Sequence, residues 1–460
     1  MGEKIDKIIS RPLYLFLYGF SFLFLKISAY PASLSIFIAT VFLFSYLITV
    51  YFLLRIFKKF VQYDLASLMV FLIAISALHI MGIAQFFGYS YSYIPNSFYI
   101  AFYLFTAFIL FLIARIKELV FIKILKKLYP LINVFIFFSS IIFFINCFKK
   151  LNDSRIEIQN HYNNPKKFTT VKNSKDIVWI ILDEYASSIS LHQQFSFDNP
   201  LDSALKNLGF IILKDIHSSY SNTLFSINSI FNMNDTIVPS SFYVGEELLR
   251  HSSLIPSFEK SGYQFTNLSF FNLSEHTMLE NRSGYPYTFI QQLIAGTIFN
   301  KIYINLKFSV KSSDDYNQKI YNRLCGELKS YSSRPRFIWA HLTIPHEPFC
   351  RDEKGNYRGF TSNRDDISDT VNYKKLYINY LKYGNQLILN LLKSNPEIRD
   401  KIVIISGDHG PRYPFLKNKD FQKWPFAAIY IPDSFNTQKL EKLHTIGELP
   451  EFLISHISKS

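Results

Sequence analysis

Two short segments of this chain carry carboxylates and an imidazole to the ends of apolar runs. Ile180-Ile181-Leu182 leads into Asp183-Glu184, and Ile404-Ile405 leads through Ser406-Gly407 into Asp408-His409-Gly410. A third run ends at Leu342 and continues through Pro345 to His346. Carboxylates and an imidazole from separate strands can converge on one divalent cation, and zinc accepts both ligand types while keeping a position open for substrate. Each segment alone is ordinary. An acidic residue at a strand end is usually solvated or salt-bridged, Asp-His-Gly serves as a turn, and a histidine beside proline is common in loops. Their joint placement at strand ends is what points to a site.

Such a site needs a nucleophile, and Ser221-Asn222-Thr223-Leu224-Phe225-Ser226 supplies one. Ser221 or Asn222 can cap a helix that continues through Ile227 and Ile230, which puts the Thr223 hydroxyl in the first turn. Free backbone N–H groups and the helix dipole favour negative charge there, so an alkoxide or a covalently held phosphate would be stabilised. Without a cation, Thr223 would merely share capping duty. Coordination would help deprotonate its weakly acidic hydroxyl.

These side chains need a rigid frame. Apolar runs at Ile177 to Leu182, Gly209 to Leu213, Tyr263 to Leu268, Phe337 to Leu342, Ile402 to Ile405 and Ala427 to Ile431 read as buried strands of a mostly parallel sheet. Between them Ser203 to Leu208, Asn222 to Met233 and Val371 to Leu392 read as helices, the last carrying Tyr373, Leu376, Tyr380 and Tyr383 at helical spacing. The alternation predicts an α/β domain over residues 176–460 with helices on both faces, its active site beyond the carboxyl ends of the strands.

Before that domain lie five strongly apolar stretches: Pro12 to Tyr30, Leu34 to Leu54, Leu65 to Phe86, Ser97 to Ala114 and Leu128 to Phe148. Each is about as long as ~30 Å of hydrocarbon requires, which predicts a five-helix transmembrane bundle over residues 1–148. Four further spans follow the first, so it is not read as a cleaved signal peptide. Lys4, Lys7 and Arg11 precede the first span, Arg55, Lys58 and Lys59 follow the second, and Arg115, Lys117, Lys123, Lys126 and Lys127 follow the fourth, whereas Gly88 to Asn96 has no charge. Basic loops face the cytoplasm, so the N-terminus is expected inside and the C-terminal domain on the opposite side. Residues 149–175 are polar and read as a linker near the membrane surface.

Residues 1–150 hold 14 Lys+Arg and 4 Asp+Glu, so most of the net charge of +14 is topological, and nucleic acid is excluded as a partner. Within the spans, Lys26 can snorkel to an interface and His79 is read as hydrogen-bonded in the bundle. Cys325 and Cys350 belong to the exported part, where a disulfide is allowed and not required.

In combination these residues resemble the alkaline phosphatase and sulfatase superfamily, and within it the membrane-anchored phosphoethanolamine transferases and lipoteichoic acid synthases. The resemblance covers most of the chain, including the number of spans. It implies that Glu184 in ILDEY binds the metal with Asp183 assisting, and that Asp408 and His409 are further ligands. It implies that Thr223 is both nucleophile and ligand, with Ser226 matching the serine three residues on, and that His346 in LTIPHEPF contacts the substrate phosphate.

Two departures narrow the reading. Formylglycine sulfatases need Cys or Ser followed by x-Pro-x-Arg, which this sequence lacks, so ordinary sulfate-ester hydrolysis is disfavoured. The transferases usually carry several disulfides and another histidine shortly after the Asp-His pair, whereas Gly410 to Trp424 holds Arg412, Lys417, Lys419 and Lys423 and no histidine. One divalent metal is therefore expected, zinc ahead of manganese, with a cationic side chain such as Arg412 or Lys423 holding the phosphate.

The expected activity is transfer of a phospholipid-derived phospho-headgroup, of the phosphoethanolamine or phosphoglycerol type, through Thr223 to a cell-surface glycan or lipid. The expected place is the bacterial inner membrane, with the catalytic domain periplasmic or extracellular. An exported phosphodiester or sulfate-ester hydrolase of the same fold is the alternative. A non-enzymatic transport or assembly factor is a third, and it predicts a loss of the chemical residues that this chain retains.

Overall fold

The computed structural model describes residues 11–29, 36–86, 96–115, 119–163, 175–280, 293–294, 297–299, 310–358, 370–413, 418–432, 440 and 442–457. Lys4, Lys7, Lys117, most of the uncharged connection after the third span and the second half of the expected linker lie outside them. The chain forms two compact units, Met1–Ile156 with Tyr287–Lys307, and Glu157–Pro286 with Phe308–Ser460.

The first unit is helical: α1 Tyr14–Ala29, α2 Ile36–Phe57, α3 Tyr63–Leu78, α4 Ile80–Phe86, α5 Asn96–Arg115 and α6 Leu119–Asn163, which runs on into the second unit. The helices are apolar inside and out, with Phe37, Phe44, Leu104 and Phe135 exposed, the pattern of helices not meant for water. Among the described residues, Phe37–Phe57 and Ile122–Tyr162 are long and apolar enough to cross a membrane, while Tyr14–Ile27, Tyr63–Leu78 and Ser97–Ile113 are apolar but shorter.

Three details differ from the sequence reading. The third apolar run is interrupted at His79, between α3 and α4. The fifth does not give way to a loop at residue 149, because the helix continues to Asn163. Lys149 to Asn163 has neither Pro nor Gly, and Leu151, Ser154, Ile158 and His161 fall on its less exposed side at helical spacing, so a polar surface was mistaken for a break. Finally, Leu293, far along the chain from the apolar runs, packs within the helical unit with Phe22, Leu23, Ile27 and Leu78.

The second unit is built on a six-stranded sheet of β1 Ile177–Leu182, β2 Ile211–Ile212, β3 Gln264–Leu268, β4 Arg336–Leu342, β5 Ile402–Gly407 and β6 Ala427–Tyr430, in the order β2-β6-β5-β1-β4-β3. Neighbours from β3 to β5 are parallel, and β6 runs antiparallel to β5 and β2. Every residue of β1, β4 and β5 is buried. Because successive side chains point to opposite faces, both faces of the sheet are covered. The helices are α7 Ser188–Phe195, α8 Pro200–Asn207, α9 Thr223–Asn232, α10 Phe242–Arg250, α11 Leu254–Lys260, α12 Val310–Lys329, α13 Thr370–Ser394 and α14 Leu449–Ile457.

At the amino ends of the central strands Asp176 accepts from Arg336 N (2.8 Å), Arg336 Nη2 (2.7 Å) and Lys401 Nζ (3.0 Å), tying β1, β4 and β5 together. Cys147, Cys325 and Cys350 are free thiols.

Candidate metal centre and active site

β1 and β5 are neighbours with Leu182 opposite Gly407, so Asp183 and Asp408 leave the sheet side by side. On the other flank Ile181 is opposite His341 and Leu182 opposite Leu342, and Asp183 N donates to the Leu342 carbonyl at 2.9 Å. One oxygen of Asp183, one of Asp408 and one ring nitrogen of His341 lie within 4.8 Å of one another, all three residues buried.

Thr223 arrives from a helix. Asn222 caps α9, its side chain accepting from Leu224 N at 3.1 Å, which makes Thr223 the first helical residue. The Thr223 hydroxyl lies 3.3 Å from Asp183 Oδ1 and 3.2 Å from His409 Nε2.

The protonation states follow from the hydrogen bonds. His409 Nδ1 donates to the Gly410 carbonyl at 2.7 Å, so in a neutral ring Nε2 carries the lone pair. Burial, helped by the Arg412 charge, holds that pKa down to about 4, and the ring is neutral at pH 7. Asp408 Oδ1 accepts from the backbone N–H of Glu184 (3.0 Å) and of His409 (2.9 Å). Its Oδ2 is buried without a hydrogen-bond partner and faces His409 Nε2 at 3.4 Å. Burial pushes the Asp408 carboxyl up to about 6.

Two acceptor atoms therefore share one hydroxyl proton, and a third, Asp408 Oδ2, adjoins one of them with no proton of its own, an arrangement that is costly unless a cation sits among them. Spacing agrees with this. A tetrahedron with the ~2.0–2.1 Å bonds zinc makes to nitrogen and oxygen has edges of about 3.3–3.4 Å. The separations here are 3.3 Å from Thr223 to Asp183, 3.2 Å from Thr223 to His409 and 3.4 Å from His409 to Asp408. The donor set Asp183, Thr223, Asp408 and His409 fits a zinc-sized ion, with His341 beside it.

Glu184 follows Asp183 in sequence but turns elsewhere. Its backbone is left-handed (φ 60°), a conformation costing on the order of 1–3 kcal/mol away from glycine. Glu184 N donates to Asp408, and Tyr377 OH donates to the Glu184 carbonyl at 2.8 Å, so the strained turn is held from both sides. It separates two consecutive acidic side chains into two clusters. The buried Glu184 carboxylate accepts from Arg412 Nε at 2.7 Å and from Tyr413 OH at 3.4 Å, and lies 3.7 Å from His346 Nε2.

His346 Nδ1 donates to the Glu347 carbonyl at 2.6 Å, which leaves Nε2 to accept from Arg412 Nη2 at 3.2 Å. Arg412 and His346 keep 22% and 14% of their side chains exposed whereas Glu184, Asp408 and His409 keep none. The cationic group is thus on the open side of the site. Tyr373 OH donates to Glu347 Oε2 at 2.6 Å, and burial raises the Tyr373, Tyr377 and Tyr413 hydroxyls above the ordinary phenol range, keeping them neutral.

The remaining expected site residues stand apart. Ser226 is buried, 2.8 Å from Ser218 Oγ and donating to the Tyr220 carbonyl at 3.2 Å, so it ties the preceding loop to α9. Lys423 is exposed and contributes its carbonyl to Ser218 N at 2.7 Å. His341 was missed in the sequence. Its signal was an imidazole inside an otherwise apolar strand, IWAHL, five residues before His346.

No curated protein matches this chain. Among solved structures, lipooligosaccharide phosphoethanolamine transferase A (EptA) from Neisseria meningitidis is similar at 12% identity, covering 98% of this chain and 96% of its own, with a TM-score of 0.43. The periplasmic domain of phosphoethanolamine transferase EptC from Campylobacter jejuni is similar at 14% identity, 64% of this chain and 95% of its own, TM-score 0.41. The putative sulfatase yidJ from Bacteroides fragilis is similar at 13% identity, 64% of this chain and 77% of its own, TM-score 0.40. The Sulfatase family profile matches residues 175–428. That match takes in more than half of the chain and every residue of both clusters, and the chain belongs to the sulfatase family.

Proposed function

We propose that this protein is a metal-dependent transferase of the bacterial inner membrane, with five passes, a cytoplasmic N-terminus and a periplasmic or extracellular catalytic unit. The observation that carries the reading is the Thr223 hydroxyl at a helix N-terminus, 3.3 Å from Asp183 Oδ1 and 3.2 Å from His409 Nε2. Asp183, Asp408, His409 and Thr223 hold the ion, and Glu184 is assigned to Arg412. When bound there, zinc in preference to manganese supplies Lewis acidity that lowers the hydroxyl pKa and offsets phosphoryl charge.

The donor is a phospholipid. Thr223 Oγ forms a bond to phosphorus, the bond from phosphorus to the diacylglycerol oxygen breaks, and the threonine proton ends on the diacylglycerol hydroxyl. Arg412, held by the Glu184 carboxylate and the His346 Nε2 lone pair, faces the phosphoryl oxygens, where preorganised donors stabilise the charge that develops. A hydroxyl of a cell-surface glycan or lipid then displaces Thr223 and takes the headgroup. Membrane embedding suits this substrate, which never has to leave the bilayer.

Mass spectrometry of the intact protein after exposure to phosphatidylethanolamine or phosphatidylglycerol tests the reading. The expected result is a mass gain equal to one phospho-headgroup, localised to Thr223 and discharged by added membrane glycan. Release of free headgroup phosphate without an acceptor would identify a hydrolase instead.

A further inference from the structure

We infer that the helical unit binds a phospholipid by its phosphate in a cavity of its own, bordered by α1, α3 and α6. This rests on reading the unit as membrane-embedded and is independent of the reaction at Thr223. The cavity measures about 700 Å³ and is lined by Tyr18, Phe22, Phe71, His79, Leu131 and Phe135 among others.

The two ends of the helical unit treat polar groups differently. Toward the start of α1 they are paired: Tyr14 N donates to Asn133 Oδ1 (2.6 Å), Asn133 Nδ2 to the Arg11 carbonyl (2.7 Å) and Tyr129 OH to Asp64 Oδ1 (3.0 Å), with Lys126 Nζ 3.3 Å from Asp64. At the cavity Ser139 still donates to the Phe135 carbonyl (2.8 Å), but two larger polar groups are left over. Tyr18 OH is buried with no hydrogen-bond partner. The His79 ring packs against the rings of Tyr18 (centroids 6.0 Å apart) and Phe22 (5.5 Å), with no hydrogen bond among the described residues. The hydrogen bond expected for the His79 ring from the sequence is not found among the described residues. Polar groups left so in hydrocarbon are costly, and a ligand that pairs them relieves the cost.

Charge decides which ligand. Lys26 and His79 are the Lys, Arg, His, Asp or Glu residues within the five apolar runs. Lys26 Nζ stands 5.4 Å from the centre of the same Phe22 ring that His79 contacts, and the acidic Asp64 is at the opposite end of α3, beside Lys126. Ionisable groups at membrane depth mark ligand sites, and interrupted spans line them. The third run is interrupted at His79. An imidazole and a phenol in the wall beside Phe71, Leu131 and Phe135, with a cation on the Phe22 ring next to them, suit a phosphodiester joined to an acyl chain, and a phospholipid carries both.

The test uses full-length protein in detergent with a photoactivatable phosphatidylethanolamine and the matching diacylglycerol, which lacks the phosphate. The expected result is labelling of α1, α3 or α6 around the cavity, at least tenfold stronger for the phospholipid. Tyr18→Phe keeps the ring and removes the donor, so it should cut that preference by about tenfold, the scale of one hydrogen bond to a charged group. Lys26→Leu with His79→Leu should equalise the two probes. Equal labelling in the natural protein, labelling confined to other helices, or a preference that survives in both variants would overturn the inference. Binding measured this way in a Thr223→Ala protein needs no turnover, so it succeeds or fails separately from the proposed transfer.

Discussion

Thr223 Oγ1 lies 3.2 Å from His409 Nε2, while the other nitrogen of that ring is committed to the Gly410 carbonyl. The hydroxyl therefore faces a lone pair rather than a second proton, the relationship a shared cation requires. Thr223→Ala should remove turnover, by at least about 10⁴-fold if it is the nucleophile. The metal stays with the three remaining ligands. Activity measured beside elemental analysis checks both halves, and undiminished transfer would end the assignment.

Asp183 and Glu184 are adjacent in sequence and their side chains lie in different clusters, so their amides should behave differently. Asp183→Asn should lower metal affinity at least tenfold. Glu184→Gln should keep the metal and lower kcat/KM by on the order of 10²-fold, because Arg412 loses the carboxylate that orients it. The reverse pattern of metal content would return Glu184 to the ligand set.

Removing the ion should destabilise the α/β unit as well as silence it, since Asp408 Oδ2 is then left buried without a partner. A ligand present at 100 times its dissociation constant stabilises by about 2.7 kcal/mol, which for a domain of this size shifts Tm by roughly 5–10 °C. Calorimetry after chelation, then after zinc or manganese is restored, measures the shift and ranks the two metals. Equal Tm with and without metal would contradict the site.

Asp176 offers a pH readout away from the active site. Burial raises its pKa, but hydrogen bonds from Arg336 and Lys401 lower it further, and the net position is below the ordinary carboxylate range. A depressed folded-state pKa contributes stability above the unfolded value of ~3.9, and that stability is lost as pH falls through the folded value. Asp176→Asn should thus cost on the order of 3 kcal/mol at pH 7, with the difference from the natural protein closing below about pH 4. Urea melts across that range would show it, and a pH-independent gap would refute the linkage.

Gly410 sits where a Cβ would come within 2.0 Å of the Phe421 carbonyl oxygen. Gly410→Ala must displace the loop that positions His409, so a loss of about 2–3 kcal/mol in stability is expected. Metal affinity should fall with it, because His409 Nδ1 is oriented by the Gly410 carbonyl. Isothermal titration with zinc would detect an unchanged affinity if the loop tolerates the methyl.

Much of this protein was legible in its sequence because local patterns carry it. All-apolar runs become buried strands or apolar helices whatever their neighbours, so the strands around Trp179, Trp339 and Ile404 and the helix of Thr223 were read at nearly their true limits. Chemistry at strand ends followed too, since parallel order places those ends together. What the sequence could not decide was direction. Whether Asp183 or Glu184 faces Thr223 depends on a left-handed backbone at Glu184 held by Asp408 and Tyr377, which are more than 190 residues away. His341 reads as one more strand residue until β1 and β5 bring Asp183 and Asp408 beside it. The place of Leu293 among the helices was likewise fixed by packing. A residue's type limits what it can do, but only contacts between distant segments settle which partner it meets.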